Sequence, residues 1–208
     1  MIAKEAITEA LLARHACKLF DETQKIPADD LTFILESGRL SPSSFGMEPW
    51  RFIVVQDPKL KQAIRPSCWD QPQITTCSDL IIIMAKLADV RPGAAYTRSI
   101  FARRNLSPEM TQAYHTKYDT WIGRYNDDQF EGWSKRQCYI AAATMMNTAA
   151  MIGIDSCAIE GFEADPIHTL LGIDTTQETI AMLLPLGYRV NPITPKKRHP
   201  LEMIVDYR

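Results

Sequence analysis

Four basic residues near the two ends of the chain are candidates for binding an anion. Arg14 and Lys18 lie near the start of the sequence, and Lys196 and Arg198 lie near its end. Guanidinium and ammonium groups form charge-assisted hydrogen bonds to phosphate oxygens, so these four side chains would bind a phosphate if the fold brought them together. Taken alone, such residues are more often solvated surface charge, and both interpretations stay open at this point.

Two turns could supply hydrogen-bond donors to the same ligand. Ser41-Pro42-Ser43-Ser44, followed by Pro49 and Trp50, places adjacent hydroxyls in a proline-bounded turn. The segment Ala158-Ile159-Glu160-Gly161-Phe162 follows a predicted strand, and a glycine turn at a strand end exposes backbone N–H groups to whatever lies in front of it. Each segment in isolation is equally consistent with an ordinary turn.

Several common kinds of site are missing from the sequence. It contains neither GxGxxG nor GxxxxGK, so neither a Rossmann dinucleotide loop nor a P-loop is predicted. The scattered cysteines and histidines predict no metal site and suggest free thiols in a reducing compartment. A nucleophilic Cys17 or Cys157 paired with His15 or His168 has no supporting motif. Any bound nucleotide must therefore be held without a glycine-rich loop.

Length and charge set the remaining limits. The 208 residues suffice for one domain with its own core, so we predict a single domain over 1–208. The 23 Lys and Arg against 25 Asp and Glu give a net charge of −2, which argues against a nucleic-acid partner. The longest apolar run, 80–85, is far shorter than the ~20 residues of a membrane helix. We expect a cytoplasmic protein with no membrane partner.

Segments with helical spacing account for much of the chain. Ser107-Pro108-Glu109 supplies an N-cap, a first-turn proline and an acidic residue in order. Asn126-Asp127-Asp128 lacks the spacing of a calcium-binding loop and is interpreted as the rim of a loop. The predicted helices cover residues 2–12, 27–40, a stretch beginning at 107, 133–152 and 166–171.

Extended segments alternate with these helices. The predicted strands cover residues 51–55, 80–85, 156–159 and 180–186. Alternating apolar residues over 201–206 predict a final extended segment that reaches a sheet edge. Strands separated by helical segments indicate a mixed α+β domain of three layers.

The candidate segments occur in one particular order. This order is Arg14-His15-x-x-Lys18-x-Phe20-Asp21, Ser41-Pro42-Ser43-Ser44 with Pro49-Trp50, Trp133-x-x-Arg136-Gln137-x-Tyr139, Ile159-Glu160-Gly161-Phe162 and Lys196-x-Arg198. Each motif is weak by itself, but five in series between residues 14 and 198 are specific. The sequence resembles the nitroreductase family, the FMN-dependent NAD(P)H oxidoreductases, and in particular its oxygen-insensitive branch.

This resemblance implies a fold, an assembly and a cofactor. The implied fold is the three-layer, nitroreductase-like α+β fold, with a central, mainly antiparallel sheet flanked by helices. The implied assembly is an intertwined homodimer in which residues 191–208 extend onto the partner subunit. Tightly but non-covalently bound FMN would lie at the interface, so that each site draws on both chains.

The resemblance also implies site residues. Arg14 would hold the FMN phosphate with Lys196 and Arg198, while Lys18 would point at the pyrimidine edge of the ring and stabilise the reduced flavin. Residues 43–44 would come from the partner chain, and residues 160–161 would offer backbone N–H groups to the N5 and C4-carbonyl side. The full implied set is Arg14, His15, Ala16, Lys18, Pro42, Ser43, Ser44, Gln71, Gln73, Ile159, Glu160, Gly161, Lys196 and Arg198.

The implied activity is ping-pong, two-electron reduction of nitroaromatics or quinones through the flavin, with NADH or NADPH as reductant and no catalytic side chain. Phe45, Trp69 and Tyr118 are candidate walls of a slot for small planar electron acceptors, although each is also a typical core aromatic. Residues 93–129 are long enough to form a lid. Alternatives on the same fold are a flavin reductase, a reductive dehalogenase and an FMN-binding protein without turnover.

Two of the departures from the family pattern bear directly on the expected cofactor contacts. Ala16 stands where the family often has a hydroxyl side chain that adds a hydrogen bond to the phosphate. Asp70 lies near a position that often supplies an asparagine to the pyrimidine edge, where an acid would oppose Lys18. Gln71 or Gln73 is therefore the expected donor, and contact between Asp70 and the flavin is left open.

Overall fold

A four-stranded antiparallel sheet forms the centre of the fold. The computed structural model describes residues 2–208, and within that range the strands are β1 (Trp50–Val55), β2 (Asp79–Lys86), β3 (Asp155–Ser156) and β4 (Glu178–Gly187). Their spatial order is β1-β2-β4-β3, and each neighbouring pair is antiparallel. The predicted α+β class with a mainly antiparallel sheet is confirmed.

Helices cover both faces of this sheet. Within residues 2–208 the α-helices are α1 (Lys4–Ala13), α2 (Ala28–Arg39), α3 (Pro58–Ile64), α4 (Gln73–Thr76), α5 (Ala95–Ala102), α6 (Pro108–Ile122), α7 (Asp127–Met151) and α8 (Ala164–Leu171). No helix in the described residues combines the length and the apolar character needed to span a bilayer.

The apolar run of β2 is explained by burial on both of its faces. Ile81 and Ile83 pack with α2 and α7, whereas Leu80 and Ile82 pack with residues of α3, α4 and α8. All four side chains have 0% exposure. A strand that is buried on both faces has no polar face, so it reads as a continuous apolar run.

Helix α7 begins earlier than its apolar pattern predicts. The prediction placed its start near residue 133, with Asn126-Asp127-Asp128 as a loop rim, and that interpretation is wrong. Asn126 is the N-cap, its side chain accepts from the Gln129 N–H, and the Gln129 side chain accepts from the Asn126 N–H. Asp127 and Asp128 occupy the first turn, where negative charge suits the helix dipole.

Strand β3 is shorter than predicted. It contains two residues, after which Cys157 donates its backbone N–H to the Pro185 carbonyl, and Ile159 makes one isolated bridge to Leu183. Pro185 has no N–H to donate, so the ladder cannot continue without interruption beside it. The chain consequently leaves the sheet immediately before the turn at 160–161.

The final extended segment predicted over 201–206 is wrong. Leu201–Met203 form one 3₁₀ turn, and the residues after it belong to no strand in the described chain. Leu201, Met203 and Ile204 are 63%, 66% and 70% exposed. Their alternation therefore does not come from one face packing on this sheet.

Residues 93–129 form a helical unit with a core of its own. Ser107 caps α6 by accepting from the Met110 N–H, as its sequence predicts. Phe101 on α5 and Tyr118 on α6 are fully buried with Phe130 and Trp133 at the start of α7. The unit is thus anchored to the rest of the domain through α7.

Candidate functional site

The structure brings the basic residues from both ends of the chain together. Arg14 lies at the C-terminus of α1, and the Lys196 ammonium donates to the Leu11 carbonyl in the last turn of that helix. Partial burial, and then the nearby charges of Arg14 and Arg198, lower the pKa of Lys196 below its ordinary value. Burial raises the pKa of the Cys157 thiol, and the charges of Lys18 and Arg14 oppose this rise. The Lys18 ammonium lies 3.6 Å from the same sulfur.

These four cations carry uncompensated charge. Among residues 2–208, none of them has a carboxylate oxygen within 4.0 Å. Like charges held close together without acidic partners favour an anionic ligand. We call Arg14, Lys18, Lys196 and Arg198 the cationic cluster.

A buried carboxylate ties the N-terminal part of this cluster to the chain that leaves β4. Asp155 is 8% exposed and accepts from the Arg189 backbone N–H at 2.9 Å and from its guanidinium at 3.1 Å. The His15 Nδ1 lies 3.6 Å from the same carboxylate and 3.2 Å from the Ala13 carbonyl. His15, Ala16 and Lys18 line a cavity of about 150 Å³ whose other walls include Arg189, Asn191, Pro192 and Thr194.

A chain of polar contacts runs from Lys18 to the turn after β3. The Lys18 Nζ lies 3.6 Å from the Cys157 Sγ, and the Gln73 Nε2 lies 3.8 Å from the same sulfur. Gln73 also donates to the Gln71 Oε1 at 2.8 Å, and Gln71 donates to the Gly161 carbonyl at 3.0 Å. Gln71 and Gln73, both predicted as cofactor contacts, thus connect Lys18 with the turn.

The turn at 160–161 presents backbone donors. The N–H groups of Glu160 and Gly161 make no hydrogen bond within the described residues. The Tyr139 hydroxyl of α7 donates to the Glu160 carboxylate, and burial followed by this bond raises the pKa of Tyr139. The turn is therefore held by its side chains and its carbonyl, which leaves its two N–H groups free for a ligand.

Trp69 covers this turn. A Cβ at Gly161 would lie 2.4 Å from the Trp69 Cζ3, so only glycine permits the contact. The indole is 67% exposed, and its N–H lies 3.4 Å from the Glu163 carboxylate. Trp69 and Asp70 both have a left-handed backbone, with φ of 54° and 52°. Such strained residues persist only where the surroundings hold them, often at functional sites. The predicted roles of Trp69 and Asp70 stay predictions.

Ser43 and Ser44 of the serine turn make their hydrogen bonds within that turn and to helix α7. Ser43 Oγ accepts from the Glu48 N–H at 2.9 Å, and the Ser44 N–H donates to the Gln137 Oε1 at 2.8 Å. Phe45 follows with a φ of 56° and lines a groove of about 640 Å³ along α6. No hydrogen bond within residues 2–208 joins Pro42, Ser43 or Ser44 to the cationic cluster.

The predicted role of Tyr118 as a wall of the acceptor slot is wrong. Its side chain has 0% exposure, its ring contacts Phe45 edge-on with centroids 5.2 Å apart, and its hydroxyl donates to the Val90 carbonyl. Because a fully enclosed ring cannot form the wall of an open slot, Tyr118 is a core residue. Phe45 lies at the surface side of this contact, so its role as a slot wall stays a prediction.

Replacement of Tyr118 by phenylalanine should lower stability and leave acceptor binding unchanged. Removing the hydroxyl leaves the buried Val90 carbonyl without its donor, which costs about 1–3 kcal/mol. Urea unfolding measures this change, with Tyr125→Phe as the matched control, since Tyr125 is half-buried in the same cluster and its hydroxyl makes no hydrogen bond within the described residues. A changed KM for acceptors with unchanged stability would restore Tyr118 to the slot.

Sequence reasoning missed several residues of this site. The sequence indicates Cys157 only as a free thiol or an unsupported nucleophile, and it gives no signal for Asp155, which lies beside His15, or for Arg189, which bonds Asp155. Gln137 and Tyr139 were quoted in a motif without a role, and their spacing from Trp133 was the available signal. No group of His, Cys, Asp or Glu among residues 2–208 is arranged to hold a metal ion.

The fold and the cluster define a class of protein: an α+β domain with a cationic cluster and free backbone donors beside the edge of its sheet. Residues 11–188 match the sequence profile described as "Nitroreductase family". The chain belongs to the nitroreductase family, which confirms the resemblance drawn from its motifs.

Sequence similarity to known relatives extends over nearly the whole chain. "Putative NAD(P)H nitroreductase YfkO" of Bacillus subtilis is 37% identical over 98% of this chain and 98% of its own. A Haemophilus influenzae protein with the same description is 35% identical over 99% and 98%. The crystal structure of Bacillus subtilis "putative nitroreductase ydfN" superposes with a TM-score of 0.88 at 18% identity, covering 99% of this chain and 100% of that chain. A "putative nitroreductase in complex with FMN" from Exiguobacterium sibiricum gives 0.82 at 23%, covering 100% and 98%.

Proposed function

We propose that this protein is an FMN-dependent NAD(P)H oxidoreductase that reduces small planar acceptors, nitroaromatics or quinones, in a ping-pong cycle of two-electron transfers. The observation that carries the proposal is that Lys196 reaches the helix turn before Arg14, while polar contacts connect Lys18 with the turn whose N–H groups at 160–161 are free. The names of the relatives point to the same reductant, and one structural neighbour is described as an FMN complex.

The residues present fit this cofactor. A phosphate ester carries a charge of about −1.5 to −2 at neutral pH, which suits the cluster of Arg14, Lys196 and Arg198. The heterocyclic edge of a flavin both accepts and donates hydrogen bonds, which suits the amides of Gln71 and Gln73 and the free N–H groups of the turn. Ala16 contributes backbone rather than a hydroxyl to this set.

The chain's own part is to bind, orient and polarise. When bound, FMN supplies the chemistry by accepting a hydride from NAD(P)H and giving two electrons to the acceptor. Lys18, which has no acidic partner among residues 2–208, favours the electron-rich form at the pyrimidine edge. Gln71 holds the Gly161 carbonyl, so that the neighbouring N–H groups keep their direction. The proposed reaction therefore needs no acid, base or nucleophile from the protein.

A second copy of the chain would complete the site. Within residues 2–208, Ser43 and Ser44 make no hydrogen bond to the cationic cluster of their own chain, in keeping with a homodimer in which the partner supplies them. The exposed apolar residues of 191–208, Leu201 and Ile204 among them, suit the proposed extension onto that partner. We expect the protein to elute as a dimer in size-exclusion chromatography, and a flavin-containing monomer would contradict this.

The cheapest test of the function is the colour of the protein. Purified protein should be yellow, should bleach with NADH or NADPH under nitrogen, and should recover its colour when menadione or a nitrofuran is added. A bleached protein that no acceptor reoxidises would indicate an FMN-binding protein without turnover. A colourless protein that ignores added FMN would rule out the proposed function, and free FMN with NAD(P)H alone is the control.

A further inference from the structure

Cys157 occupies an unusual position beside Lys18. Its side chain has 0% exposure, and its sulfur is the one atom in the described residues that the Lys18 ammonium hydrogen-bonds, at 3.6 Å. Gln73 approaches the same sulfur at 3.8 Å. Two donors therefore converge on one buried thiol, between the cationic cluster and the turn at 160–161.

A thiol interacts with an ammonium group more weakly than a carboxylate at the same position would. Sulfur is a weak acceptor, so the contact orients Lys18 without satisfying its three N–H donors. A carboxylate in its place would form an ion pair and neutralise the charge. Burial raises the pKa of Cys157 despite the opposing effect of Lys18, so the group is a neutral thiol at physiological pH and leaves the ammonium charge intact.

The surrounding contacts restrict the sulfur itself. The backbone N–H of Cys157 donates to the Pro185 carbonyl of β4. The Cys157 Sγ lies 3.8 Å from the carbonyl oxygen of the next residue, Ala158. The position of the sulfur is thus set by the sheet, whereas Lys18 is an exposed residue at a bend of the chain, and its side chain has several rotatable bonds. A rigid weak acceptor can select one direction for a flexible charged chain.

We propose that Cys157 is a positioning residue, which directs the Lys18 ammonium toward the pyrimidine edge of the flavin and so raises the flavin's reduction potential. The inference rests on the proposed function and adds to it a residue that acts only through Lys18. The thiol neither contacts substrate nor changes its covalent state in this role.

The test is a double-mutant cycle read by the two-electron potential of the bound FMN, measured by equilibration with a redox dye. Cys157→Ala should lower the equilibrium constant for reduction about tenfold, equivalent to about 30 mV. Cys157→Ser keeps a side-chain acceptor and should stay within about threefold of the wild type. In the Lys18→Ala background, Cys157→Ala should have no further effect, because the group through which it acts is gone.

Cys138→Ala is the matched control. That thiol is also buried, at 1% exposure, but its sulfur lies against the Pro49 and Met84 carbonyls on the opposite face of the sheet. It should leave the potential unchanged. If Cys157→Ala is too unstable to purify, the comparison of Cys157→Ser with Cys157→Val carries the same test, since only serine keeps an acceptor.

The possible failures are distinguishable. An unchanged potential in Cys157→Ala or Cys157→Val, or an effect of equal size with and without Lys18, overturns the role of Cys157 and leaves the proposed function intact. A wild-type protein that takes up no FMN overturns the proposed function, and this inference with it.

Discussion

Replacement of Lys18 by alanine is expected to lower the two-electron potential of bound FMN by about 30 to 90 mV. An ammonium within ~4 Å of a negative charge contributes ~4 kcal/mol at an effective dielectric constant near 20, and solvent at this exposed residue reduces that value. The effect falls on the reduced cofactor because only that form gains charge at the pyrimidine edge. Dye equilibration under nitrogen measures the potential.

Two further variants make this expectation specific. Lys18→Arg keeps the charge and should recover a large part of the lost potential, although its planar head cannot occupy the same position. Lys59→Ala removes one positive charge from an exposed helical position on α3 and should change nothing. A potential that is the same in Lys18→Ala and Lys59→Ala would show that Lys18 is not at the ring.

Replacement of Arg14 by alanine is expected to weaken FMN binding about 10- to 100-fold. A hydrogen bond to a charged group contributes about 1.5–3 kcal/mol, and each 1.4 kcal/mol is a factor of ten in affinity. Arg14 follows the last turn of α1, where the Lys196 ammonium donates to the Leu11 carbonyl, so it is the N-terminal member of the cationic cluster that the C-terminal segment approaches. Titration of the apoprotein with FMN, followed by quenching of flavin fluorescence, gives the dissociation constant.

The dependence of FMN affinity on ionic strength and the flavin potential together distinguish the role of Arg14 from that of Lys18. Because Arg14 acts on the phosphate, its loss should weaken the dependence of FMN affinity on ionic strength and leave the flavin potential within about 10 mV, a change of about twofold in the equilibrium constant. Lys59→Ala again removes a charge elsewhere and should bind FMN normally. Wild-type affinity in Arg14→Ala would mean that the phosphate is held without it.

Regular elements with strong local signals were predictable. The double-sided burial of β2 and β4 leaves continuous apolar runs, and Ser107-Pro108-Glu109 starts α6 through contacts within one turn of helix. The failures had two different causes, one local and one distant. The start of α7 depends on a polar capping box that carries no apolar period, and the early end of β3 depends on Pro185, a residue of another strand.

The site shows the same division. Arg14, Lys18, Glu160, Gly161 and Lys196 were recognisable because their side-chain types and their order along the chain match a family pattern. Cys157 was not, since a buried cysteine is usually only a small core residue. Its proximity to Lys18 comes from pairing between segments 139 positions apart, to which the sequence gives no local clue.

By itself, the sequence determined the types of the main helices and strands, the family and the kinds of group available to hold an anion, because these follow from residue type, spacing and order. Only the tertiary structure decided that Tyr118 is enclosed, that Trp69 covers Gly161, and that a sulfur meets the Lys18 ammonium. Contacts of this kind arise when separate segments pack against one sheet, so their distances depend on the whole fold rather than on any local pattern.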